Sequence, residues 1–246
     1  MAAAGAEIPV DVAPFRLSGT VYGTLLNHRS ALAAIQDKLA LPPYNAPPRA
    51  PVLYVKPRNT LAMCGDAVEV PAAIGHATAQ AAHAAVAAEV AAAELEAAAC
   101  LGIVIGRTAC RVSEDRALDH VAGFLIVNDV SIPHANYYRP SVRYKARDGF
   151  CPLGPRVTAR ARVADPDALV LRTYVDGVLV QTMSTADLIR SVARLVADVT
   201  EFMTLAPGDV LAAGAAAPAP RVRAGQTVAI EAEPLGTLTN PFVAST

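Results

Sequence analysis

The chain has 246 residues and a formal net charge of −1, with 17% charged and 53% apolar residues. Such a balance gives no electrostatic basis for binding nucleic acid or an anionic membrane surface. Alanine supplies much of the apolar share and no run approaches twenty strongly apolar residues. The opening MAAAGAEIPVDVAPF lacks the basic start and apolar core of a signal peptide, so the expectation is a cytoplasmic protein without a membrane span.

Residues 1–18 read as an extension ahead of one domain over 19–246. Gly19 to Leu26 reads as a first strand, and Ser30 to Leu39 as a polar helical stretch. Pro42, Pro43, Pro47, Pro48 and Pro51 mark a loop, and Val52 to Val55 a short strand. Residues 72–99 hold sixteen alanines in twenty-eight positions, which favours a helical excursion. His76 and His83 share a face of it, and structural packing explains them more simply than metal binding. Leu101 to Ile105 is a buried strand, and so is Phe124 to Val127, with Asn128-Asp129 expected where that strand gives way to a loop. Leu169–Val175 and Val178–Thr182, joined by Asp176-Gly177, predict a hairpin with a type I′ turn. Ser184-Thr185-Ala186-Asp187 has the form of a capping box, opening a helix with Leu188, Val192, Leu195, Val199 and Met203 on one stripe. Val210–Ala213 and Thr227–Ala232 read as further strands. Many strands and few helices indicate a mainly β or α+β domain. Cys64, Cys100, Cys110 and Cys151 show no paired spacing, so they read as free thiols rather than a zinc site or a disulfide framework.

The stretch from Gly123 to Pro155 carries the most chemistry. Asp129 is a carboxylate able to hold a hard cation, and Lys145 can face whatever anion that cation binds. Arg139, Arg143, Lys145 and Arg147 cluster in sequence with Tyr137 and Tyr138. The cluster reads either as a binding surface for carboxylates or as a solvated basic loop paired with Asp148 and surface acids.

Eight landmarks in order carry a family resemblance. They are LLNHRS (25–30), VKPRNT (55–60), GIVIGR (102–107), AGFLIVNDVS (122–131), KARDGFCPLGP (145–155), TADLI (185–189), LAPGDVLAAG (205–214) and LGTLTNPF (235–242). Together they resemble the fumarylacetoacetate hydrolase family. Within it, the chain looks most like the amino-terminal half of the fused isomerase/decarboxylases of 4-hydroxyphenylacetate (homoprotocatechuate) degradation. The resemblance implies a mixed β-roll or barrel-like core with few helices, usually dimeric. It implies Mg²⁺ or Mn²⁺ held by three carboxylates, and a 2-oxo acid substrate whose enolate the metal stabilises as a Lewis acid. The substrates implied are 2-oxo or 2-hydroxydienoic di- and tricarboxylic acids, which would suit Arg139, Arg143, Tyr138 and Arg147.

Carried over residue by residue, Lys145 matches the family lysine and Asp129 the third metal ligand. The other two ligands, a Glu-x-Glu pattern, fall on Ala98 and Cys100, neither a ligand for a hard cation. Glu94 and Glu96 form such a pattern four residues too early. They read as displaced ligands or as solvated residues of the alanine-rich segment. The family's lid histidine position is Ala31, with His28 nearby as a displaced acid/base or a packed structural residue. The family's threonine-bearing substrate loop reads Gly214-Ala215-Ala216-Ala217-Pro218. Three functions follow: a metal-dependent isomerase/decarboxylase subunit, a degenerate structural subunit paired with a metal-competent paralogue, and a metal-independent tautomerase. The expected assembly is a homodimer or a heterodimer with such a paralogue.

Overall fold

A computed structural model describes residues 8–9, 19–71, 94–134 and 141–245. The strands, in chain order, are β1 (Ile8–Pro9), β2 (Val21–Leu25), β3 (Val52–Lys56), β4 (Leu61–Met63), β5 (Val68–Val70), β6 (Glu94–Ile105) and β7 (Val121–Ser131). They continue with β8 (Cys151–Ala159), β9 (Val170–Val175), β10 (Val178–Ser184), β11 (Val210–Ala212), β12 (Arg221–Arg223), β13 (Thr227–Ala232) and β14 (Gly236–Ala244). The α-helices among the described residues are α1 (Arg29–Ala33), α2 (Gln36–Leu39), α3 (Val142–Lys145) and α4 (Val192–Phe202). One curled sheet runs β1-β8-β7-β6-β11-β2-β3, with β12 also on β6 and β4 also on β8. A second runs β10-β9-β13-β14-β5. This is the mainly β, barrel-like fold with few helices that the sequence predicts. No helix among the described residues is long and apolar enough to cross a membrane.

The two long strands at the centre alternate faces with a period of two. Along β6, Leu95, Ala97, Ala99, Leu101, Ile103 and Ile105 enter the main core, which α4 covers with Val192, Leu195, Val196 and Val199. The opposite face contributes Cys100 and Val104 to a smaller cluster with Leu125, Val127, Cys151 and Leu153. On β7, Asp129 follows Leu125 and Val127 on that same face. The alternation therefore places one carboxylate at the rim of an apolar cluster.

Three local expectations need correction. Residues 94–99 are strand, not alanine helix, because pairing with β7 on one side and β12 on the other overrides a weak local propensity. Residues 72–93, with His76 and His83, lie outside the described residues. Phe124–Val127 is only part of β7, so Asp129 sits within a paired strand rather than at a loop. Ser184 caps a single 3₁₀ turn, its Oγ accepting from Ala186 N at 3.2 Å. The helix starts later, with Ser191 Oγ accepting from Arg194 N at 3.1 Å, so Leu188 precedes it. The hairpin turn is as expected: Asp176 and Gly177 take φ of 50° and 79°, the left-handed pair that a type I′ turn requires.

Candidate active site

Asp129 lies opposite Ala98 in the β6–β7 register, and Ser131 lies opposite Glu96. These four side chains floor a cavity of about 300 Å³, which Thr24, Leu26, Ala31, Ile35, Lys38, His134, Lys145 and the 215–219 loop enclose. Two tethers set the wall formed by α1 and that loop. Ser30 Oγ accepts from Ala217 N at 2.9 Å. The buried Asn27 donates to Ala213 O at 2.7 Å and accepts from Arg190 N at 3.0 Å.

Asp129 is only 4% exposed, and two ammonium groups meet it. Lys145 Nζ donates to Oδ2 at 2.5 Å, and Lys56 Nζ stands 2.8 Å from Oδ1. The Tyr54 hydroxyl also donates to Oδ2, at 2.5 Å. Burial by itself would raise the Asp129 carboxyl, but Lys145 and then Lys56 outweigh it and hold it far below the usual carboxylate range. Burial lowers the Lys56 ammonium, with Asp129 opposing, and drives the Tyr54 phenol well above its ordinary value. Behind the cluster, burial pushes the Cys151 thiol up to about 12 and raises Cys100 as well, so both are inert thiols of the core.

The two lysines differ in what they can do. Lys56 donates to the carbonyls of Val130, Lys145 and Phe150 at 2.8, 3.0 and 2.7 Å, so its three protons are spoken for by the backbone. It does not line the cavity. Lys145 does, standing 4.7 Å above the centre of the Tyr54 ring with one proton on Asp129. Lys145 thus presents an ammonium group to the cavity beside Asp129, a position suited to an anionic group.

The remaining expected site residues divide sharply. Glu96 lines the cavity, accepting from Ser131 Oγ at 3.2 Å and paired with Arg221 at 3.2 Å. Glu94 turns to Arg223 at the edge of the sheet and is not among the lining residues, so it is no site ligand. His28 caps α1, its Nδ1 accepting from Ser30 N at 3.2 Å. Burial lowers its pKa, and it does not reach the cavity either. Arg143 is exposed, and Arg147 lines a separate recess with Glu69, Pro71 and Asp148. Neither is placed to bind a ligand beside Asp129. Tyr137, Tyr138 and Arg139 lie outside the described residues. Sequence reasoning passed over Tyr54, Lys56 and His134. Lys56 had a signal in the VKPRNT landmark, whereas Tyr54 in the Val52–Val55 strand and His134 in the Gly123–Pro155 stretch had nothing local to mark them.

The fold and this cavity define a member of the fumarylacetoacetate hydrolase family, to which the chain belongs. Residues 20–243 match the family profile described as Fumarylacetoacetate (FAA) hydrolase C-terminal. The chain is 36% identical over 93% of its length to a 4-hydroxyphenylacetate degradation bifunctional isomerase/decarboxylase of Salmonella dublin, and spans 48% of that relative. The chain thus covers about half the length of that curated relative. The crystal structure of a 5-carboxymethyl-2-hydroxymuconate delta-isomerase from Mycobacterium smegmatis superposes with a TM-score of 0.73. It is 29% identical, over 93% of this chain and 80% of that one. The fold is shared, with a TM-score of 0.71 and 24% identity, by a maleylpyruvate hydrolase from Sphingobium sp. SYK-6 in complex with manganese(II) and pyruvate. That match covers 92% of this chain and 71% of the other.

The divalent cation expected from the family does not fit the residues present. Mg²⁺ and Mn²⁺ want several hard oxygen ligands. Ala98 offers a methyl group and Cys100 a buried thiol. Asp129 has one oxygen on each lysine, and no group of three acidic, His or Cys side chains able to hold a metal occurs among the described residues.

Proposed function

We propose that this chain is an isomerase of aromatic-acid catabolism that moves a proton within a small 2-oxo or 2-hydroxydienoic di- or tricarboxylic acid without a bound metal. The substrate proposed is 2-hydroxyhepta-2,4-diene-1,7-dioate, the product of decarboxylating 5-carboxymethyl-2-oxo-hex-3-ene-1,7-dioate. The observation that carries this reading is Lys145, a buried ammonium that faces the cavity while Asp129 fixes its position. In a tautomerisation, negative charge gathers on the 2-oxygen. A preorganised ammonium facing the cavity stabilises that charge where it develops. Decarboxylation puts a greater electrophilic demand on the site, so isomerisation is the reaction assigned to this chain and decarboxylation is not.

The test is the conversion of 2-hydroxyhepta-2,4-diene-1,7-dioate by the purified chain, followed by ultraviolet absorbance with and without EDTA. Equal rates in both conditions support the reading, and loss of activity in EDTA defeats it. Ala98, Cys100 and Ala215 favour a second reading, a non-catalytic subunit that pairs with a metal-competent paralogue. It predicts no turnover alone and a heterodimer on co-expression, in place of an active homodimer.

A further inference from the structure

The reaction proposed above needs a group that carries the proton, and neither His28 nor Ala31 supplies one. His134, just beyond the end of β7, is the one histidine among the described residues that lines the cavity. His134 is 8% exposed, and its ring stacks on Tyr144 with centroids 4.8 Å apart and planes 8° from parallel. Its Nδ1 lies 2.9 Å from the carbonyl oxygen of Ile132. A carbonyl only accepts, so Nδ1 carries the hydrogen and Nε2 of the neutral ring holds the lone pair. Burial lowers the pKa of His134 and Lys145 lowers it further, against the Ile132 carbonyl, Glu96 and Asp129, which favours the neutral ring near pH 7. The stack and the Ile132 contact together fix the ring in one orientation and one tautomer, as a proton-transfer group requires.

We propose that His134 is the acid/base residue of this cavity, working beside Lys145; the inference rests on the isomerase reading above. Nε2 takes the proton from the 2-hydroxyl of the dienol. The O–H bonding pair becomes the carbonyl π bond, the two double bonds of the diene become one, and charge passing through the 2-oxygen is held by Lys145. The imidazolium then returns the proton to the far carbon of the conjugated system, forming the C–H bond. One O–H bond breaks, one C–H bond forms, and no other reactant is needed. Glu96, held by Ser131 and Arg221, supplies the negative charge on the floor that the transient imidazolium meets.

The experiment uses three proteins, the intact chain, H134N and H134A, with 2-hydroxyhepta-2,4-diene-1,7-dioate as substrate. The Asn amide can still donate to the Ile132 carbonyl, so H134N separates chemistry from folding. For H134N, kcat is expected to fall about 10²- to 10⁴-fold while KM stays within about threefold. H134A is expected to recover activity on addition of imidazole, a response that a purely structural residue does not give. If H134N keeps the kcat of the intact chain while Lys145→Ala lowers it about 10²- to 10³-fold, His134 is not the proton carrier and the isomerase reading stands. Loss of activity in H134A with no imidazole response overturns the proposal in the same way. An inactive intact chain overturns the isomerase reading and this inference with it.

Discussion

Gly23 leaves the space that the ring of Tyr54 fills. The two residues are cross-strand partners of β2 and β3, and a Cβ at Gly23 would overlap the Tyr54 ring and its hydroxyl oxygen. Because nothing stands there, the phenol reaches Asp129 with its 2.5 Å hydrogen bond. Replacing Gly23 by Ala is therefore expected to displace Tyr54 and to destabilise the chain by about 1–3 kcal/mol, the usual cost of overpacking. Tyr54→Phe keeps the ring and removes only the donor to a charged acceptor, with an expected loss of about 1.5–3 kcal/mol. Urea denaturation of the two variants checks both values. A Gly23→Ala protein as stable as the parent would show that the ring can move aside freely.

Asp129 should tie stability to pH. Its carboxyl is held below the ordinary range, so folding favours the ionised form. That contribution is complete above the unfolded value of about 3.9 and is lost as pH falls through the folded value. In Asp129→Asn, two buried ammonium groups keep their positions without a counter-charge, and the expected loss at pH 7 is about 3–5 kcal/mol. The gap between parent and variant should narrow once the pH drops below about 4, as the parent loses what the variant never had. Unfolding midpoints measured from pH 7 down to pH 3 test the sign. A gap that stays constant with pH would rule out the carboxylate as its source.

The fold was legible because its signals are local or ordered. The Asp176-Gly177 turn carries its own backbone demand, and landmarks such as GIVIGR and AGFLIVNDVS fall in β6 and β7 as strands. The site was legible only where one residue carried both signal and role, as Asp129 and Lys145 do. Glu94 and Glu96 looked alike in sequence, yet they end on different partners because β12 brings Arg223 to one and Arg221 to the other. His28 looked like an acid/base because histidine is the usual one, but its ring nitrogen serves the first turn of α1. Nothing near residue 54 or residue 134 announces the cavity. Tyr54 reaches Asp129 through the β2–β3 register, and His134 comes to line the cavity through the path of the chain beyond β7, both set by long-range packing.

Lys145 and Lys56 touch the same carboxylate, and their variants should separate cleanly. Lys145→Ala removes the ammonium that faces the cavity, and isomerase kcat is expected to fall about 10²- to 10³-fold, the scale seen when one oxyanion donor is lost. Lys56→Met instead frees the Val130, Lys145 and Phe150 carbonyls from their shared donor. Each unsatisfied buried group costs about 1–3 kcal/mol, so this variant should be defined by lost stability. Calorimetry alongside kinetics distinguishes the two patterns. A Lys145→Ala chain with unchanged kcat would remove that residue from the chemistry.

Ala98 and Cys100 explain in physical terms why no cation is expected here, and the explanation can be reversed. Ala98 sits opposite Asp129 with its Cβ toward the cavity, and Cys100 follows on the same face. The double variant A98E/C100E would place two further carboxylates beside Asp129, giving the hard oxygen donors that Mn²⁺ requires. The added negative charge would also offset the two ammonium groups that now repel a cation. The parent chain should therefore show no change in melting temperature with millimolar Mn²⁺ or with EDTA. The double variant should be less stable without metal. Its new carboxylates crowd Asp129, and the one that replaces the Cys100 thiol would enter the apolar cluster around Val127 and Cys151. Mn²⁺ at 100 times its Kd should then return about 2.7 kcal/mol to the variant alone. Thermal shift and electron paramagnetic resonance titration read the two effects independently. Mn²⁺ stabilisation of the parent itself would mean that Asp129 accepts a cation despite both lysines, and would reopen the metal-dependent route for this chain.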